Sequence, residues 1–173
     1  MSASDWWTRH HNINHQLIYI IQTMQLEEIL TAERCFCRME WGSKKRILTS
    51  ISELLTEQDS ELNAKDIYHA LLGREQLGST GLGKGIAIPH CRVAKCNQIT
   101  GALITLAEPV DYDSIDGKPV DILFVLIVPE QKTDDHVKAL ASIAELLSDE
   151  DFCFTLRNTF DSEDLFNIAI MHG

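Results

Sequence analysis

Residues Val120 to Val128 read Val-Asp-Ile-Leu-Phe-Val-Leu-Ile-Val, and Pro129 closes the run. A strand with one wet face alternates apolar and polar residues. A strand with no alternation needs cover on both faces. This run does not alternate after Asp121, so it predicts the central strand of a sheet between two layers of helices. The residues from Ile99 to Leu106 predict a second strand, and Asp116-Gly117 between the two runs marks a turn. Cys35-Phe36-Cys37-Arg38 predicts a short strand with both thiols on one face.

Helical periods fill the gaps. Ser43 precedes Ile47, Ile51, Leu54 and Leu55, one apolar stripe, and the span from Ala64 to Leu77 carries Ile67, Ala70 and Leu71. Leu26, Ile29 and Leu30 predict a short helix. Thr133 is the expected cap of a helix that buries Val137, Leu140, Ala141, Ile143, Ala144 and Leu147, with His136 in its solvent-facing first turn. Asp149 or Glu150 opens a further helix through Phe152, Leu156 and Phe160, and Ser162-Glu163-Asp164 opens the last, through Leu165, Phe166 and Ile170. Strands mixed with helices and one two-sided strand give a single α/β sandwich. Lys44-Lys45-Arg46 opposes the positive end of its helix, which leaves either solvated cations or a partner contact.

The 173 residues suffice for one domain with a core. Residues 1–23 differ from the rest. Trp6, Trp7, His10, His11 and His15 follow no period, and a metal site there lacks further ligands. The expected organisation is an extension over 1–23 and a domain over 24–173, with Met24 as an expected translation start. Fifteen Lys+Arg against 26 Asp+Glu leave a net charge of -11. That balance disfavours nucleic acid and anionic membrane surfaces as partners and suits a basic protein surface. Cys35, Cys37, Cys91, Cys96 and Cys153 form no Cys-x-x-Cys pair, which points to reduced thiols and a cytoplasmic location. Leu17 to Ile21 is too short for a signal core or a membrane span, so no membrane insertion is expected.

The chemistry concentrates between Arg74 and His90. Gly78, Gly81, Gly83 and Gly85 make a loop whose backbone N–H groups can approach an anion, and Ile86-Ala87-Ile88 runs as a strand to Pro89 and His90. A histidine at a strand end beside such a loop is a candidate phosphoryl acceptor. The plainer reading is a glycine turn, an ordinary strand and a surface histidine. For phosphoryl chemistry the site needs a free imidazole and donors around the incoming oxygens. Ser79, Thr80, Gly81 and Gly83 are candidate phosphate-binding donors, Arg74 a planar charge, and His136 a second imidazole. A zinc site from His90, Cys91, Cys96 and His136 is disfavoured, because neighbouring residues on a strand face opposite ways. Ser79 lacks the surroundings of a serine nucleophile.

Arg74-Glu75-Gln76-Leu77-Gly78-Ser79-Thr80-Gly81-Leu82-Gly83, then Gly85-Ile86-Ala87-Ile88-Pro89-His90, resembles the active-site signature of the mannitol/fructose-type (type 2) IIA domains of the bacterial phosphoenolpyruvate:sugar phosphotransferase system. Asp116-Gly117-Lys118-Pro119 through Phe124, Val128-Pro129-Glu130 and His136 extend the resemblance, which spans about Met24 to Ile170. It implies a three-layer α/β/α sandwich with a mixed, roughly five-stranded sheet and no cofactor or metal. It implies a phosphotransferase component in which His90 carries a phosphoryl group on Nε2, received from an HPr-like phosphocarrier, with Arg74 and His136 stabilising it. Ser43-Lys44-Lys45-Arg46 and Pro89-His90-Cys91-Arg92 are most similar to the nitrogen-related branch, which regulates targets such as transporters or kinases by phosphorylation state. The alternative is a transport-linked, sugar-specific component that passes phosphate to a IIB domain. Lys84 departs from the asparagine of many relatives.

Overall fold

The computed structural model describes residues 25–131 and 133–173. The expected extension over 1–23, its histidines and the start at Met24 lie outside the described residues. Among the described residues six strands form one sheet: β1 (Cys35–Met39), β2 (Gly81–Gly83), β3 (Ile86–Ala87), β4 (His90–Val93), β5 (Thr100–Val110) and β6 (Val120–Pro129). Their order is β1-β5-β6-β3-β2, with β4 also on β6. The sheet is mixed: β1 runs parallel to β5, β5 antiparallel to β6, and β3 and β4 parallel to β6. Ala87 lies opposite Leu123 and His90 opposite Leu126, so β3 and β4 keep one register and share one lane. Six strands therefore occupy the roughly five positions that the resemblance implies.

The long apolar run is β6, and its two faces feed two cores. Leu123, Val125 and Ile127 pack beneath α1 (Lys44–Gln58) and α2 (Ala64–Gln76). Ile122, Phe124, Leu126 and Val128 pack on the other side, against α3 (Thr133–Leu146), α4 (Glu150–Arg157) and α5 (Ser162–His172). Each fully buried aliphatic or aromatic side chain contributes about 1.5–3 kcal/mol relative to exposure, and β6 supplies such residues to both layers. Cys35 and Cys37 do share a face, the one toward α5.

The helices start where their caps allow. Ser43 accepts from the Arg46 amide, Asn63 from Lys65 and Asp66, Asp149 from Asp151 and Phe152, and Asp161 from Glu163 and Asp164. Three expectations are corrected. Leu26–Glu28 is a single 3-10 turn, because too few residues precede the next turn at Ala32–Arg34 for an α-helix to propagate. Phe160 lies beyond the end of α4 and is exposed, with the Arg38 guanidinium 4.8 Å above its ring. The buried stripe of α3 runs through His136, Ala139 and Ile143 to Leu147, while Val137 and Ala141 face outward. Hydrophobicity alone selected Val137, but the sheet takes the neighbouring position.

Candidate active site

His90 opens β4, directly after Pro89 interrupts the lane. Proline has no N–H to give the ladder, yet its carbonyl still accepts from the Leu126 amide at 3.0 Å. The break turns the His90 ring back along its own strand. Nδ1 lies 2.8 Å from the Ile88 carbonyl oxygen. A carbonyl can only accept, so Nδ1 carries the proton and Nε2 keeps its lone pair. Arg74, in the last turn of α2, donates through Nε to that Nε2 at 3.3 Å. Its Nη1 donates to the Gly78 carbonyl at 2.8 Å, which fixes the plane of the guanidinium.

His136 completes the group from the far helical layer. Its ring meets that of His90 edge to face, with centroids 5.8 Å apart. The residue is 8% exposed, and neither ring nitrogen has a hydrogen-bond partner among the described residues. The solvent-facing placement expected from spacing is therefore corrected. Burial pushes both imidazoles below the ordinary histidine value. For His90 the Arg74 charge adds to burial, while the Ile88 hydrogen bond and Glu75 oppose it. For His136 the charges of His90 and Arg92 act with burial. Arg92 is exposed two residues along β4 from His90, and sequence analysis did not single it out. The alternation of a strand puts it on the His90 face.

The glycine loop is built otherwise than expected. Gly81–Gly83 and Ile86–Ala87 form an antiparallel hairpin, with Lys84 (φ 55°) and Gly85 (φ 80°) as its two-residue turn. Positive φ at both centres is the geometry that suits the right-handed strand twist. The anion that the turn holds is internal: Asp116 Oδ2 accepts from the Lys84 amide at 2.9 Å, and its carboxyl sits below the usual range because the Lys84 and Lys118 amides bond it. A Cβ on Gly83 would crowd that carboxylate, and one on Gly85 would meet Arg157 and Asp121. Arg157 clamps Asp121 and also donates to the Lys84 carbonyl at 2.8 Å. The glycines thus admit protein side chains.

Three of the four proposed loop donors, Ser79, Thr80 and Gly81, are already engaged. Ser79 Oγ donates to the Tyr112 carbonyl at 2.9 Å and accepts from the Gly81 amide. Thr80 donates to the Glu75 carboxylate through both its amide and its hydroxyl. Gly81 is packed against Ser114. Lys84 itself reaches away, to Glu150 at 2.9 Å. Cys91 and Cys96 are buried in the α1/α2 core, on the opposite face from His136, so the disfavoured zinc set is not assembled. Among the described residues no three His, Cys, Asp or Glu side chains gather as a metal-holding group. No described helix is long and apolar enough to cross a membrane.

Residues 28–170 match the family model described as phosphoenolpyruvate-dependent sugar phosphotransferase system, EIIA 2. The chain belongs to this EIIA type 2 family. A nitrogen regulatory protein of Pseudomonas aeruginosa is 44% identical over 147 residues, which cover 85% of this chain and 96% of that protein. The crystal structure of the nitrogen regulatory protein IIA-Ntr from Neisseria meningitidis superposes with a TM-score of 0.78 at 41% identity, covering 83% of this chain and 98% of that one. The IIA mannitol structure from Escherichia coli shares the fold, with a TM-score of 0.69 at 20% identity over 81% of this chain and 98% of that one. Membership in this EIIA family carries phosphotransfer through a histidine, and the α/β sandwich is the EIIA fold.

Proposed function

We propose that this EIIA protein is a cytoplasmic phosphocarrier of the nitrogen-related branch, and that His90 accepts its phosphoryl group on Nε2. The observation that carries this reading is the state of His90: Nδ1 is held by the Ile88 carbonyl, and Nε2 presents its lone pair beside Arg74 and His136. In the transfer, Nε2 attacks the phosphorus of a phosphohistidine on an HPr-like carrier. The new N–P bond forms as the carrier's N–P bond breaks, and the electron pair returns to the carrier's imidazole. The Arg74 guanidinium moves from the lone pair to the phosphoryl oxygens, where two parallel donors suit a planar fork. His136, buried and without a hydrogen-bond partner among the described residues, supplies a further donor from the other side.

The engaged hydroxyls of Ser79 and Thr80 support a positioning role for the loop in place of direct phosphate contact. The phosphoryl group adds close to two negative charges at one spot, which a regulated target reads as a change in local potential. Regulatory output is favoured over sugar transport by the 44% and 41% identities to nitrogen regulatory proteins along nearly their whole length.

The test is incubation with radiolabelled phosphoenolpyruvate, enzyme I and the HPr-like carrier. The wild-type protein takes up label and His90→Ala does not; label in His90→Ala means that another residue is the acceptor. Transfer from the labelled protein to a purified IIB domain at the rate of carrier exchange would return the sugar-transport alternative.

A further inference from the structure

Glu75 follows Arg74 in the last turn of α2, and its side chain is 3% exposed. Removing a carboxylate from water costs several kcal/mol unless donors replace the solvent, and an apolar residue of the same volume often serves stability as well. This carboxylate is fully supplied. Lys44 Nζ lies 3.0 Å from Oε2. The Tyr112 hydroxyl donates to Oε1 at 3.2 Å, and Thr80 donates from its amide and its hydroxyl. The donors come from three separate places: the start of α1, the segment after β5 and the start of the glycine loop. A second contact set ties them to each other. The Tyr112 carbonyl accepts from Ser79 Oγ at 2.9 Å and from Lys44 Nζ at 3.1 Å, and Lys44 sits 4.5 Å above the Tyr112 ring.

The Glu75–Thr80 contact closes a six-residue turn, and Gly78 is inside it. Gly78 has φ 151° and offers its carbonyl to Arg74 Nη1. The path from the buried carboxylate to the phosphoryl site is therefore short and covalent on one side. Glu75 fixes Thr80, the closed turn fixes the Gly78 carbonyl, and that carbonyl fixes the guanidinium whose Nε meets His90 Nε2. Lys44 acts here as an internal ion-pair partner, neither a free cation nor a partner contact.

We infer that Glu75 is the positioning residue of this site: held by Lys44, Tyr112 and Thr80, it closes the Glu75–Thr80 turn and thereby sets the Arg74 guanidinium on His90 Nε2. The inference rests on the phosphocarrier reading. Both carboxylate oxygens accept hydrogen bonds, so the NH2 of a Glu75→Gln side chain must face a donor on one side or the other.

The experiment uses the whole chain and the phosphorylated HPr-like carrier as donor. Glu75→Gln is expected to lower kcat about tenfold, since small displacements of a positioned group cost rate steeply, with KM for the carrier unchanged because the Glu75 side chain is buried away from any partner. The readout that a merely structural role leaves alone is the Arg74 Nε–H signal in 15N NMR. It is expected to be sharp and slow to exchange in the wild-type protein, where Nε donates to His90 and Nη1 to Gly78, and to broaden in the variant. Tyr112→Phe removes one hydroxyl and keeps the ring, and about a threefold loss in kcat is expected from a single hydrogen bond. It also decides the case if Glu75→Gln fails to fold. Wild-type kcat together with an unchanged Arg74 signal overturns the inference, as does a change confined to KM. If the wild-type protein takes up no label, the phosphocarrier reading fails, and the Arg74 signal still reports whether Glu75 holds the guanidinium.

Discussion

Arg74 Nε lies 3.3 Å from His90 Nε2, the one ring nitrogen that the Ile88 carbonyl leaves with a lone pair. Two contacts thus assign the tautomer and leave Nε2 as the nitrogen proposed to take the phosphoryl group. Lysine at position 74 keeps the charge but cannot bond Gly78 and His90 with one rigid plane. Arg74→Lys is expected to slow phosphoryl uptake by about 10²-fold, the scale seen when one oriented donor is lost. Rapid-quench measurement of label from the phosphorylated carrier checks this, and an unchanged rate would remove Arg74 from the site.

In the proposed reaction His136 trades stability for chemistry. A buried polar group without a partner costs about 1–3 kcal/mol, and both nitrogens of His136 are in that condition among the described residues. Phenylalanine fills the same space without polar atoms. His136→Phe is expected to raise the unfolding free energy by about 1 kcal/mol while slowing uptake and leaving some labelling. Urea unfolding and label incorporation measure the two sides. A variant that is less stable and fully active would contradict both.

The two imidazoles also set a pH dependence. Each titrates below 6.5 in the folded protein, chiefly through burial, whereas the unfolded chain titrates near that ordinary value. As pH falls below it, the unfolded state binds protons first, so the equilibrium shifts toward unfolding. The stability linked to these groups is complete above 6.5 and is lost as pH drops through the lower folded values. His136→Phe is expected to flatten part of that fall in a series of urea midpoints. Phosphoryl uptake, which needs the Nε2 lone pair, is expected to hold as pH falls to 6.5 and to decline below it; a decline that begins above 6.5 would place the folded His90 value higher.

Lys84 adopts φ 55° at the first centre of the hairpin turn, a region that asparagine tolerates better than lysine. Its ion pair with Glu150 is solvent-exposed on both sides and of the class that contributes little. Lys84→Asn is expected to stabilise the protein by about 0.5 kcal/mol with uptake unchanged, by thermal unfolding and label incorporation. A loss of uptake would give Lys84 a part in carrier docking.

Much of this protein was legible along the chain where one residue type answers to one local rule. The unalternating β6 run demanded two covering layers, and the cap at Ser43 marked a helix start. His90 and Arg74 were legible through a long motif. His136 was misread because Val137 is the more hydrophobic neighbour. The spacing of His136, Ala139, Ile143 and Leu147 already carried the correct stripe. The packing of the glycine loop was not legible because a glycine records that something approaches the backbone without recording what. Here the approaching groups are Asp116, Ser114, Asp121 and Arg157. Glu75 lies on the buried stripe of α2, four residues after Leu71 and eight after Ile67, yet a buried carboxylate looks in sequence like any surface glutamate.

The sequence by itself determined the layer architecture, the helix starts and the identity of the residues able to carry phosphoryl chemistry, because these follow from hydrophobic period, local hydrogen bonding and side-chain type. Only the tertiary structure decided which nitrogen of His90 keeps its lone pair, since that depends on a carbonyl two residues back and a guanidinium sixteen residues back meeting one ring. It also decided that His136, forty-six residues on, turns inward to that ring, and that Lys44 serves Glu75. Contacts between distant residues depend on how the two helical layers close on the sheet, and no local period encodes that closure.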